Sequence, residues 1–138
     1  MKVFFDTNVY VAEALLGEGA EAILEATLRA SWRIYIHTHV LDEIQHVLTD
    51  DLGFTTRLAR LTCDRCRRRA TSAPDAASRH AVPRDPDVSP ILRAALHMSV
   101  DYLVTNDTHL LNLTPYEGLR ILSMSEYYRL LQDEGLIA

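Results

Sequence analysis

The chain has 138 residues, 48% of them hydrophobic and 24% charged, with a formal net charge of −5. That length and composition fit one soluble globular domain over residues 1–138 with a core of its own. No apolar run approaches the roughly 18 residues needed to cross a bilayer. The opening Lys2-Val3-Phe4-Phe5 lacks the parts of a signal peptide, so a cytoplasmic protein is expected, with no membrane contact. The acidic balance speaks against a protein that coats nucleic acid non-specifically.

Short β-like runs alternate with helical stretches, which predicts βα units around a parallel sheet. Val3-Phe4-Phe5 is wholly apolar, suited to a strand covered on both faces, and it stops at Asp6-Thr7-Asn8. Helices are expected from about Val9 to Leu16, ended by Gly17, and from Ala20 to Arg29. Ile34–Ile36 reads as the second strand. Thr38 is placed to cap the next helix, whose Val40, Leu41, Ile44, Val47 and Leu48 form one stripe at helical spacing. Gly53 stops it. A further helix is expected over about Thr55–Arg69, with Leu58 and Leu61 turned inward. Ala70–Asp87 holds three prolines and reads as a loop, with a brief strand near Ala81-Val82. Ser89-Pro90 is a helix start, followed by a face of Leu92, Ala95, Leu96 and Ser99. Tyr102–Val104 and Leu119–Leu122 are the last strands, with a short helix over Thr108–Leu111 between them. Ser123 and Glu126 have capping-box spacing for a final helix that stops at Gly135.

Cys63 and Cys66 have C-x-x-C spacing, but no second ligand pair at zinc-finger spacing follows. Two reduced thiols in a helix are expected. Arg57, Arg60, Arg65, Arg67, Arg68 and Arg69 crowd the same stretch. They read either as a solvated helix face or as a patch that grips phosphate.

In an open parallel sheet, function gathers at the carboxyl ends of the strands. Asp6 follows the first strand and Asp107 follows Tyr102–Val104. Glu43 lies on the helix after the second strand, roughly 100° from the centre of its apolar stripe. Each acid alone could be a helix cap or a surface residue. Together they suggest a cluster whose mutual repulsion a divalent cation would relieve. Hard oxygen ligands select Mg²⁺ or Mn²⁺, which can activate water against a phosphodiester.

These stretches resemble a known family. Phe4-Phe5-Asp6-Thr7-Asn8-Val9 looks like the opening signature of PIN-domain proteins. Val40–Leu48 resembles the helix with the family's second acid. Asp101–Leu111, containing Thr105-Asn106-Asp107-Thr108-His109-Leu110-Leu111, is similar to its late T-x-D-x-x-L-L motif. The similarity is greatest to the toxins of toxin–antitoxin pairs related to VapC.

The resemblance implies a three-layer Rossmann-like α/β fold with a mostly parallel sheet of about five strands. It also implies cleavage of single-stranded RNA with Mg²⁺ or Mn²⁺, a small antitoxin partner and a homodimer. The dimer draws as well on apolar residues in the early helices (Val9, Val11, Ala14, Leu15, Leu16). Asp6, Glu43 and Asp107 take the metal-binding roles, and Asn8, or Thr7 beside it, orients Asp6 or a water. The chain departs from the family at Asp85-Pro86-Asp87-Val88, where Val88 occupies the position of an expected acid and Asp87 stands one residue early. Asp87 is then the substitute ligand, with Asp85 a lesser candidate. Without it, the domain would be a weakened member that binds RNA or protein.

Two other folds with strand-end acids fit less well. A phospho-receiver needs a lysine after the last strand, and the only lysine is Lys2. A phosphatase with an Asp nucleophile needs D-x-D at Asp6, where Asn8 stands in the third position.

Overall fold

The computed structural model describes residues 1–74 and 89–138. The elements run β1 (Lys2–Phe5), α1 (Thr7–Leu16), α2 (Glu18–Arg29), β2 (Arg33–Ile36), α3 (Thr38–His46) with a wider π turn over Val47–Asp51, and α4 (Thr56–Arg69). They continue with β3 (Thr71–Ser72), α5 (Ser89–His97), β4 (Tyr102–Val104), α6 (Thr108–Leu111), β5 (Arg120–Leu122) and α7 (Met124–Asp133). The five strands form one sheet in the order β3-β2-β1-β4-β5, every pair parallel. The expected α/β architecture is therefore present.

The centre of the sheet is apolar because both its faces are covered. Val3, Phe4, Phe5, Ile36, Leu103, Val104 and Ile121 are fully buried. Chain order reverses across β1: β2 lies on one side and β4 on the other. This switch opens a crevice at the carboxyl edge between β1 and β4, the usual location of a site in such sheets. Helices α2 and α7 are linked within the core by a Thr27–Tyr127 hydroxyl pair at 2.6 Å. Thr27 Oγ1 also donates to the Ile23 carbonyl, so the Tyr127 hydroxyl is the donor to Thr27.

Several local expectations change. The first two helices start two residues earlier than their apolar patterns suggest, at Thr7 and Glu18, with Gly17 at φ 74° forming the joint. Helix α3 is capped by His37, whose Nδ1 accepts from the His39 amide, while Thr38 is already helical. The inward face of α4 is Ala59, Cys63 and Cys66; Leu58 and Leu61 are 49% and 53% exposed. Small side chains let α4 lie close to its neighbours, and the larger leucines fall outside the interface. Both cysteines are free thiols and buried. The strand that completes the sheet of five is β3 (Thr71–Ser72), whose exposed polar residues carry no apolar signal. The strand expected near Ala81-Val82 lies outside the described residues. On α5, Leu92 and Ala95 are buried as expected, together with Ile91 and Ala94, while Ser99 lies beyond the end of the helix, exposed at positive φ. The Ser123–Glu126 capping box forms with both of its hydrogen bonds.

Candidate active site

Asp6 leaves β1 at the β1/β4 crevice, where its amide still donates to the Val104 carbonyl at 2.9 Å. It is the N-cap of α1: Oδ1 accepts from the Thr7 amide at 2.7 Å. Its other oxygen, Oδ2, accepts from the Thr105 hydroxyl at 2.7 Å. Asp6 is only 4% exposed. Burial raises its pKa above the ordinary aspartate value, and the nearby Asp107 raises it further. The Thr105 and Thr7 hydrogen bonds and the charge of His39 pull the other way.

Asp107 stands on the other wall of the crevice, beyond β4. It caps α6, with Oδ1 accepting from the His109 amide at 2.8 Å. Thr105 joins the two walls, because its Oγ1 also accepts from the Asp107 amide at 3.0 Å and from Asn8 Nδ2 at 3.4 Å. Asn8 fixes the same loop from its other end, its Oδ1 accepting from the Asn106 amide at 3.3 Å. Asn8 is thus tied to the loop that carries Asp107.

Glu43 approaches from α3. Its Oε1 accepts from the Thr7 hydroxyl at 3.1 Å. His39, one helical turn earlier, places Nε2 at 3.2 Å from the same oxygen. That is an ion-pair distance, but the N–H is not aimed for a hydrogen bond. Glu43 is therefore one residue removed from Asp6, through Thr7, and His39 acts electrostatically on both acids. Asp85, Asp87 and Val88 lie outside the described residues.

Asp6 and Asp107 do cap helices, as the simpler reading of each holds. Capping accounts for Oδ1 of each residue. It does not account for a buried Asp6 carboxylate whose pKa is raised first by burial and then by the charge of Asp107 at the same sheet edge. Among the described residues, no three His, Cys, Asp or Glu side chains are grouped to hold an ion unaided. The donor set still suits a hard cation that keeps water in its other positions, as Mg²⁺ does. A cation here would relieve the charge repulsion that acts on Asp6.

Sequence reasoning missed His39 and gave Thr105 no role of its own. His39 was detectable as the i−4 neighbour of Glu43. The sharing of Thr105 between Asp6 and the Asp107 amide depends on β4 lying beside β1. Surface clefts of about 380 and 520 Å³ run along α7 and hold none of the strand-end carboxylates.

No curated protein matches the chain in sequence. Among solved structures, it resembles a chain of VapBC2 from Rickettsia felis bound to a DNA fragment from their promoter. The TM-score is 0.68 at 17% identity, covering 89% of this chain and 98% of that one. This likeness is one of fold. A family model described as the PIN domain matches residues 2–109, so the chain belongs to the PIN domain family, whose members are generally nucleases.

Proposed function

We propose that the chain is a metal-dependent ribonuclease that cuts single-stranded RNA, acting as one domain over residues 1–138 in the cytoplasm. The observation that supports this reading is the buried Asp6 carboxylate, coupled to Asp107 across the β1/β4 crevice and braced by Thr105. In this reading Asp6, Glu43 and Asp107 hold Mg²⁺ or Mn²⁺, and Asp87 substitutes for the acid that Val88 replaces. The bound ion would supply positive charge and an activated water at the scissile phosphodiester. Asp6 anchors the site because its burial strengthens its pull on a cation. Asn8 and Thr105 hold Asp6 and the Asp107 loop in register, and Thr7 and His39 hold Glu43.

The biological role that fits is the toxin of a toxin–antitoxin pair, silenced by a small antitoxin and acting as a homodimer. The fold it shares with the VapBC2 structure supports this role. The apolar residues of α1 lend the dimer little support: Val9 is in the core, Val11 and Ala14 are partly buried, and Leu15 is exposed.

The test uses purified chain and end-labelled single-stranded RNA. Cutting is expected with Mg²⁺ or Mn²⁺, none with EDTA, and none for Asp6→Asn, whose neutral amide keeps the shape but loses the charge. Equal cutting by wild type and Asp6→Asn would refute the enzyme reading and leave a domain that only binds RNA or protein.

A further inference from the structure

We propose that the outer face of α4 is a track for the phosphate backbone of the RNA substrate, gripped by Arg57, Arg60 and Arg68. This rests on the ribonuclease reading above. The helix carries six arginines and one aspartate in a chain whose net charge is −5. The positive charge is thus concentrated on one element.

The structure divides these arginines by task. Arg69 forms a two-pronged ion pair with the buried Glu13, at 2.7 and 2.8 Å, and Arg65 joins it at 3.5 Å. These two fasten α4 to α1. Arg67 is paired with Asp64 at 3.0 Å. Arg57, Arg60 and Arg68 are exposed, and among the described residues no carboxylate pairs with them.

At 100° per residue, the three unpaired guanidiniums fall within an arc of about 80°, away from the inward face of Ala59, Cys63 and Cys66. They span about 16 Å along the axis. That length covers several phosphates, since a stacked strand rises only about 3.4 Å per nucleotide. The helix also leads to the functional edge of the sheet, through the strand that follows it. It runs into β3, which pairs with Tyr35 and Ile36 of β2. Directly after Ile36 come His37 and α3, which carries His39 and Glu43. A strand lying on α4 is therefore led toward the carboxylates, while the acidic remainder of the surface repels it. Leu61 is exposed on the same face, so an acidic, partly apolar protein segment is the competing occupant.

The experiment measures binding of a labelled single-stranded 20-nucleotide RNA to the full chain by fluorescence anisotropy, over a salt series. The parent is Asp6→Asn, so that the RNA survives. Arg57→Gln, Arg60→Gln and Arg68→Gln are combined in it. Gln keeps helix propensity, so the exposed face should fold unchanged. With three phosphates no longer neutralised, the slope of log K against log salt should flatten by about 2, and affinity should drop at least about tenfold at moderate salt. The corresponding triple Lys variant should retain most of the binding, because point charges suffice for phosphate. A triple Gln variant with the parent's affinity and slope would overturn the track and leave α4 to an acidic protein segment. Failure of the ribonuclease reading would appear separately, as a wild-type chain that does not cut RNA with Mg²⁺.

Discussion

The Thr105 hydroxyl, fully buried at the end of β4, donates to Asp6 at the end of β1, 99 residues away in sequence. It also accepts from the Asp107 amide, so one hydroxyl fixes the spacing of two acids.

The first prediction concerns that hydroxyl. Thr105→Val keeps the shape and removes the donor. RNA cutting should fall about 10- to 100-fold, in the range seen when groups supporting a metal ligand are removed. Stability should fall by about 1–3 kcal/mol, the cost of leaving buried partners unsatisfied. Thr105→Ser should recover most of the activity. Full activity of the Val variant would show that the hydroxyl only supports the fold.

A second prediction follows from the buried charge of Asp6. Its folded-state pKa lies above the ordinary aspartate value of 3.8, chiefly because of burial. The folded state therefore binds this proton more tightly than the unfolded state. Stability from Asp6 is fully present below the ordinary value and is lost as pH rises through the raised one. Without metal, the melting temperature of Asp6→Asn relative to wild type should increase as pH is raised from about 3.8 toward neutrality. Added Mg²⁺ should narrow the gap by stabilising wild type alone. A gap independent of pH and of Mg²⁺ would count against both the raised pKa and the metal role.

The third prediction tests the departure at Val88. If Asp87 substitutes for the missing acid, Asp87→Asn should reduce cutting by about 100-fold or more, the scale of losing one group aimed at the transition state. Val88→Asp should then raise Mg²⁺ affinity, read by titration calorimetry. Unchanged cutting by Asp87→Asn would leave a site of three acids.

The fourth prediction addresses the fastening of α4. Glu13 and Arg69 have side chains only 5% and 13% exposed. Burial alone would lower the Arg69 pKa, but the Glu13 hydrogen bonds and charge outweigh it and raise it. Glu13→Gln leaves the guanidinium without its counter-charge and should cost about 3 kcal/mol in urea unfolding. A loss below about 0.5 kcal/mol would mean that solvent replaces the pair, as at exposed ion pairs.

The local pattern of the chain determined four of the five strands and the placement of the acids. Short apolar runs bounded by polar residues suit strands covered on both faces, and Asp6-Thr7-Asn8 and Thr105-Asn106-Asp107 end β1 and β4 at the functional edge. Asp6 and Asp107 were legible for that reason, and Glu43 by its angle on an amphipathic helix. The tertiary structure decided which strands became neighbours, and hence that Thr105 serves Asp6. It also decided that His39 faces Glu43, that Glu13 takes Arg65 and Arg69, and that Leu58 and Leu61 point outward. Periodicity reports only whether a side chain faces inward or outward on its own element. It gives large apolar residues the inward places, whereas α4 lies close enough to its neighbours for Ala59, Cys63 and Cys66 to take them. Partners 56 or 99 residues apart are selected by packing of the whole sheet and its helices, and no local window contains that information.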